Sequence, residues 1–220
     1  MSEVKRNIES VQRNVLRAAA GRSVTIVAAT KTVSPETISA AIDSGITDVG
    51  ENRVQEYLNK RDAVKGALWH FIGTLQTNKV KYLVGEVSLI QSVNSLALAQ
   101  EISRLAVKRG VIQDVLIEVN AGGEESKTGA NIAAAHELVE GVQSISNVRL
   151  RGLMAIPPKN AGDDVYRKIR DLYETLAGGR NLFNILSVGM SGDYERAINY
   201  GSNMVRIGSA IFGERGKTGV

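Results

Sequence analysis

The stretch VTIVAATKTVSPETISAAIDSGITDVG, Val24 to Gly50, sets the architecture. It opens with a β-branched run, VTIVAAT (24–30), and closes with a second, ITDVG (46–50). Between them, Ser34 offers an N-cap oxygen and Pro35 a first helical position with its φ already fixed, the residue types that start a helix. Strand, helix, strand is a βαβ unit, and so long a connection makes the strands parallel, because a hairpin needs only a few residues. The first turn, TKTVSPE, carries no glycine. An open doubly wound sheet usually announces itself with a Gly-rich turn at that place.

Working outward, the same alternation recurs. Further short runs rich in β-branched residues are WHFIG (69–73), VSLIQSV (87–93), DVLIEVN (114–120), VRLRGLM (148–154), NILSVGM (184–190) and NMVRIG (203–208). Helical periodicity fills the gaps, most clearly in 163–178, where Val165, Ile169, Leu172 and Leu176 step by four, three and four. Similar stripes run through 95–108 and 132–145, and Val4, Ile8, Val11 and Val15 mark an amphipathic helix over 4–19. Eight strand-and-helix units predict an α/β fold of one closed (β/α)8 barrel, a TIM barrel with an extra N-terminal helix. No linker or composition shift divides the chain, so a single domain over residues 1–220 is expected.

With 220 residues, 43% hydrophobic and 23% charged, the chain has ample apolar material for a core. It has no cysteine and only two histidines, His70 and His136, which excludes disulfides, thiolate nucleophiles and cysteine zinc sites and leaves little for a metal centre. No run approaches the roughly 18 to 20 apolar residues of a membrane span, and the start MSEVKRNIES is charged, so a soluble cytoplasmic protein without membrane contact is expected. The net charge is +4, but the basic residues are scattered through KRDAVK (60–65), NKVK (78–81) and VKRG (107–110). These read as solvated helix faces, and no nucleic-acid partner is expected.

Barrels of this kind place chemistry at the C-terminal ends of their strands. Lys31 closes the first strand. Partial desolvation there would favour its neutral amine and suit it to condensation with an aldehyde, whereas the bland reading is a stem that snorkels to solvent. In GMSGD (189–193), Ser191 can cap the helix that begins near Asp193 and, with free backbone N–H groups, form an anion site. In VRIGS (205–209), Gly208 lets backbone approach a ligand closely. Turns after strands seven and eight often hold phosphate in barrels.

Arg206 alternates with Val205 and Ile207 and so faces the opposite side. It either pairs with a carboxylate such as Asp48 or Glu118 or meets the ring nitrogen of pyridoxal phosphate. Asn52 either touches a ligand or caps the helix running through Val54 and Leu58. His70 reads as a hydrogen-bonded structural residue facing the interior, and Met190 as packing, against a ligand ring if one is present.

These segments resemble the pyridoxal phosphate homeostasis proteins, the alanine-racemase N-terminal-domain-like family, nearly end to end. The carriers are VAATKT around Lys31, GENRVQE (50–56), WHFIGTLQTNK (69–79), the loop Glu125-Ser126-Lys127-Thr128-Gly129, GLMAIPP (152–158), GMSGD and GSNMVRIGSAIFGER (201–215). The resemblance implies the barrel of fold type III, with pyridoxal 5'-phosphate held on Lys31 as an aldimine. It also implies phosphate held by Ser191, Gly208 and Ser209, and Arg206 at the ring nitrogen. Asn52 and Met190 complete the expected cofactor-binding set, and no residue is assigned as catalytic.

Three functions suit these residues: a non-catalytic carrier that buffers or delivers the cofactor, a racemase-like enzyme, and an aldolase whose lysine attacks a sugar phosphate directly. Yellow colour lost on borohydride treatment separates the aldolase from the others. Racemases with this barrel take a second acid-base group from a further domain that this sequence lacks, so the carrier is preferred. PLP-dependent apo-enzymes are candidate recipients, and a monomer is expected.

Overall fold

The computed structural model describes residues 2–121 and 129–214. Its eight strands close into one parallel barrel in chain order. They are β1 (Thr25–Ala29), β2 (Asp48–Glu51), β3 (Leu68–Phe71), β4 (Leu89–Val93), β5 (Gln113–Val119), β6 (Val148–Ala155), β7 (Ile185–Ser187) and β8 (Met204–Ile207). The helices are α1 (Glu3–Ala19), α2 (Pro35–Asp43), α3 (Val54–Lys60), α4 (Leu96–Arg109), α5 (Ile132–Gln143), α6 (Asp163–Ala177), α7 (Tyr194–Asn199) and α8 (Ser209–Phe212). A 3-10 segment over Thr77–Tyr82 takes the place of a helix between β3 and β4.

The start of α2 is as expected. Ser34 Oγ accepts from Thr37 N at 3.3 Å, with Pro35 at the head of α2. The barrel closes where β1 pairs with β8, from Thr25 opposite Met204 to Ala28 opposite Ile207. Outward residues such as Val205 and Ile207 join the large core beneath the helices, while Val27, Leu89, Leu116, Met154 and Met204 form a separate cluster inside the barrel. Arg206, between two outward residues, therefore points in.

Gly152 shows why one residue type is required in β6. Its φ is +148° and a Cβ built there would lie 1.8 Å from the Ile185 carbonyl oxygen on β7. The N-terminal helix buries Ile8, Val11, Val15 and Ala19 and is tied to the last elements of the chain. Asn7 Nδ2 donates to Ile211 O at 3.0 Å, Asn14 Nδ2 to Tyr194 Oη at 3.0 Å, and Arg17 pairs with Glu195 at 3.1 Å. Among the described residues, no helix is long and apolar enough to cross a membrane.

Candidate functional site

The C-terminal ends of the strands enclose a cavity of about 610 Å³ lined by Lys31, Asn52, Met190, Ser191, Arg206 and Gly208, with Ser209 also on its wall. All seven residues singled out from the sequence thus share one cavity. Ala29, Ile72 and Ile156 supply an apolar wall. Asn52 lines this space and does not cap α3, whose N-cap is Arg53. Met190 is less packed than expected, at 40% exposed.

Lys31 is half-buried just beyond β1, and its neighbours on both sides are clamped from behind the barrel wall. Thr30 Oγ1 donates to Glu51 Oε1 at 2.7 Å. Lys60 Nζ donates to that same oxygen at 2.7 Å, to Thr30 O at 2.9 Å and to Glu56 Oε2 at 3.0 Å. Glu56 Oε2 also accepts from Thr32 N at 2.7 Å. Thr32 needs this restraint, because it holds φ at +64°, a rare conformation for a β-branched residue. Glu51 is fully buried with Oε2 unpartnered, and its burial raises its pKa more than Lys60 and Thr30 lower it. Lys60 corrects the sequence reading: the KRDAVK run looked like a solvated face, yet this lysine is 7% exposed and ion-paired.

Arg206 is 4% exposed on the inner face. One guanidinium nitrogen, Nη1, donates to Ser187 O and Ser187 Oγ, both at 2.7 Å, and Nη2 donates to Ala155 O at 3.0 Å. These three bonds leave part of its five-donor fork available to the cavity. Burial lowers its pKa to about 10, opposed by Asp193 and Glu118, so it stays a cation at neutral pH. The sequence also allows direct pairing of Arg206 with Asp48 or Glu118. Asp48 is instead bonded to His70 Nε2, at 3.0 Å.

Ser191 takes a different partner from the one expected. Its Oγ does not cap α7, whose N-cap is Asp193. It accepts from Gly208 N and Ala210 N, each at 3.2 Å, and so stitches the turn after β7 to the turn after β8. Asp193 Oδ1 accepts from Met190 N at 2.6 Å and Oδ2 from Tyr166 Oη at 2.6 Å, which fixes the first turn. Gly189 is required there: its φ is +104° and a Cβ would meet Tyr194 Cα at 2.9 Å.

This donor set combines an amine, a buried guanidinium and backbone N–H groups that a hydroxyl now draws together. It fits a small aromatic phosphate bearing an aldehyde. Of the loop 125–129, only Gly129 is among the described residues; Lys127 lies outside them, as does Arg215. Sequence reasoning missed Glu51, Glu56 and Lys60, and the partners of His70.

Comparison with known proteins agrees. The family described as "Alanine racemase, N-terminal domain" matches residues 1–216. A relative from Aquifex aeolicus (strain VF5), "Pyridoxal phosphate homeostasis protein", is 46% identical, with 96% of each chain covered. A solved structure from Bifidobacterium adolescentis is 37% identical with a TM-score of 0.88, covering 96% of this chain and 94% of that one. PipY of Synechococcus elongatus PCC7942, solved with PLP bound, is 27% identical with a TM-score of 0.84, covering 96% of this chain and all of the other.

Proposed function

Because the chain belongs to the alanine racemase N-terminal domain family and, within it, to the pyridoxal phosphate homeostasis proteins, we propose that it binds pyridoxal 5'-phosphate and holds it for delivery. The observation that carries this reading is the convergence of Lys31, the buried Arg206 and the Ser191–Gly208 stitch on one cavity. When bound, the cofactor supplies an aldehyde that condenses reversibly with a primary amine.

Each residue then has a task. Lys31 presents that amine from a turn whose flanking threonines are fixed by Glu51, Lys60 and Glu56. Arg206 donates to the ring nitrogen. The N–H groups of Gly208 and Ala210, held at present by Ser191 Oγ, take phosphate oxygens together with the Ser191 and Ser209 hydroxyls. Asn52 and Met190 border the ring, and Ile72 and Ile156 keep water from one side. PLP-dependent apo-enzymes are the recipients, and the monomer is the working unit.

The test is a spectrum of the purified protein, borohydride reduction and peptide mapping. The expected result is a visible band lost on reduction, with the label on Lys31. Lys31→Ala should lose the band while its circular dichroism is unchanged. A label on Lys79 would overturn the assignment.

A further inference from the structure

Inside the barrel, side chains from five strands form one unbroken hydrogen-bonded line that ends at Arg206. From β8, Arg206 Nη1 donates to Ser187 Oγ on β7 at 2.7 Å. Ser187 Oγ donates to Gln91 Oε1 on β4 at 2.7 Å, and Gln91 Nε2 meets His70 Nδ1 on β3 at 2.9 Å. His70 Nε2 reaches Asp48 Oδ1, at the start of β2, at 3.0 Å. Ser187 and Gln91 are fully buried and His70 is 4% exposed, so water completes none of these links.

The direction of every proton follows from one atom. Gln91 Nε2 also lies 3.3 Å from the Met204 sulfur, which can accept but not donate. The amide NH2 must therefore face Met204 and His70, leaving the carbonyl for the Ser187 hydroxyl. His70 Nδ1 is then an acceptor, its proton sits on Nε2, and Asp48 receives it. Asp48 also accepts from Thr47 Oγ1 at 2.6 Å, and these two bonds hold its pKa below the usual carboxylate value against the opposing effect of burial. The line thus runs from a cation to an anion with each dipole aligned, an arrangement in which each bond polarises the next.

So many buried polar groups displace apolar packing, and a fully satisfied network of this kind specifies one arrangement. What it specifies is the rotamer of Arg206. We propose that Ser187, Gln91, His70 and Asp48 are positioning residues that aim Arg206 at the cofactor ring nitrogen, so that selectivity for a pyridine ring is set by residues that never touch it. This rests on the binding function above and deepens it.

The experiment compares two ligands: pyridoxal 5'-phosphate, and its analogue with CH in place of the ring nitrogen. Affinities are titrated for the wild type, Arg206→Leu, Ser187→Ala and Gln91→Met, each first checked for native circular dichroism without ligand. Arg206→Leu should weaken pyridoxal phosphate at least tenfold and the analogue less than twofold. Ser187→Ala and Gln91→Met should show the same selective loss in smaller measure, about three- to tenfold, and Asp48→Asn, which keeps an acceptor for His70, should retain most of the selectivity. If Gln91→Met does not fold, Ser187→Ala, which removes only a hydroxyl, decides. Equal losses for both ligands, or no loss, in the chain variants while Arg206→Leu discriminates would overturn the proposal alone. Failure of Arg206→Leu to discriminate would overturn the ring-nitrogen assignment beneath it.

Discussion

Replacing Lys60 with Met should be among the most damaging single changes outside the hydrophobic core. Its ammonium makes three hydrogen bonds, and the closest, to Glu51 Oε1 at 2.7 Å, neutralises a carboxylate with no solvent exposure. Methionine fills similar space but leaves that carboxylate without its cation. Removing one partner of a buried pair costs about 3–5 kcal/mol, because the other charge remains buried. For a chain of this size, each kcal/mol lowers the melting temperature by about 2–4 °C, so the expected fall is roughly 6–20 °C.

The loss should depend on pH in a stated direction. Glu51 already titrates above its ordinary value, and losing Lys60 raises it further. A carboxyl whose folded pKa exceeds the unfolded one, about 4.3, leaves stability intact below that value and drains it as pH rises through the folded value. The deficit of Lys60→Met should therefore be smaller at pH 5 than at pH 8. Adding Glu51→Leu removes the stranded charge, and Thr30 Oγ1 keeps Gly50 O as an acceptor at 3.1 Å, so the double variant should regain most of the loss. Thermal melting by circular dichroism at the two pH values reads all of this. A single variant within 2 °C of wild type, or a double variant as weak as the single, would refute the reasoning.

Three further outcomes are expected. Ser191→Asp places a carboxylate on the N–H groups of Gly208 and Ala210, and a charge pair about 4 Å apart repels by up to ~4 kcal/mol, so phosphorylated pyridoxal should bind up to ~1000-fold more weakly while unphosphorylated pyridoxal changes little; equal losses in a titration would place the phosphate elsewhere. Gly152→Ala forces a Cβ onto Ile185 O and should destabilise by more than about 3 kcal/mol, seen as lost soluble yield or a melting temperature at least ~6 °C lower, whereas a melt unchanged within 2 °C would contradict the β6–β7 geometry. The described lining of the cavity offers Lys31 as its amine and neither a histidine nor a tyrosine as a second proton donor, so the protein loaded with pyridoxal phosphate should not racemise alanine within the ordinary enzyme range of ~1–10³ per second; chiral analysis of alanine incubated in heavy water reads this, and turnover to the opposite enantiomer within that range would overturn the carrier reading.

The barrel was legible because each strand is a short β-branched run followed by helical periodicity, a local signal. Strand ends moved by a few residues, most at β7, where NILSVGM reduces to Ile185–Ser187 because Gly189 turns the chain at positive φ. The cavity that gathers Lys31, Arg206 and Ser191 was legible because strand ends have a fixed place in this architecture. The interior line was not. Asp48, His70, Gln91 and Ser187 lie on four strands distant in sequence, and only the tilt and register of the closed barrel bring them together. Lys60 was misread for a related reason: one-dimensional charge runs do not reveal which lysine turns inward beneath Thr30.

The pairing of β1 with β8, and of α1 with α7 and α8, also fixes an order of events. Elements early in the described chain find their partners only in late ones. Lys31 leaves the ribosome well before Arg206, Gly208 and Ser209. Contacts of such long sequence separation form slowly, since the intervening chain must first be ordered. A nascent chain can thus carry the lysine before the turns that complete the cavity around it. Capture of the cofactor becomes a report that the barrel has closed.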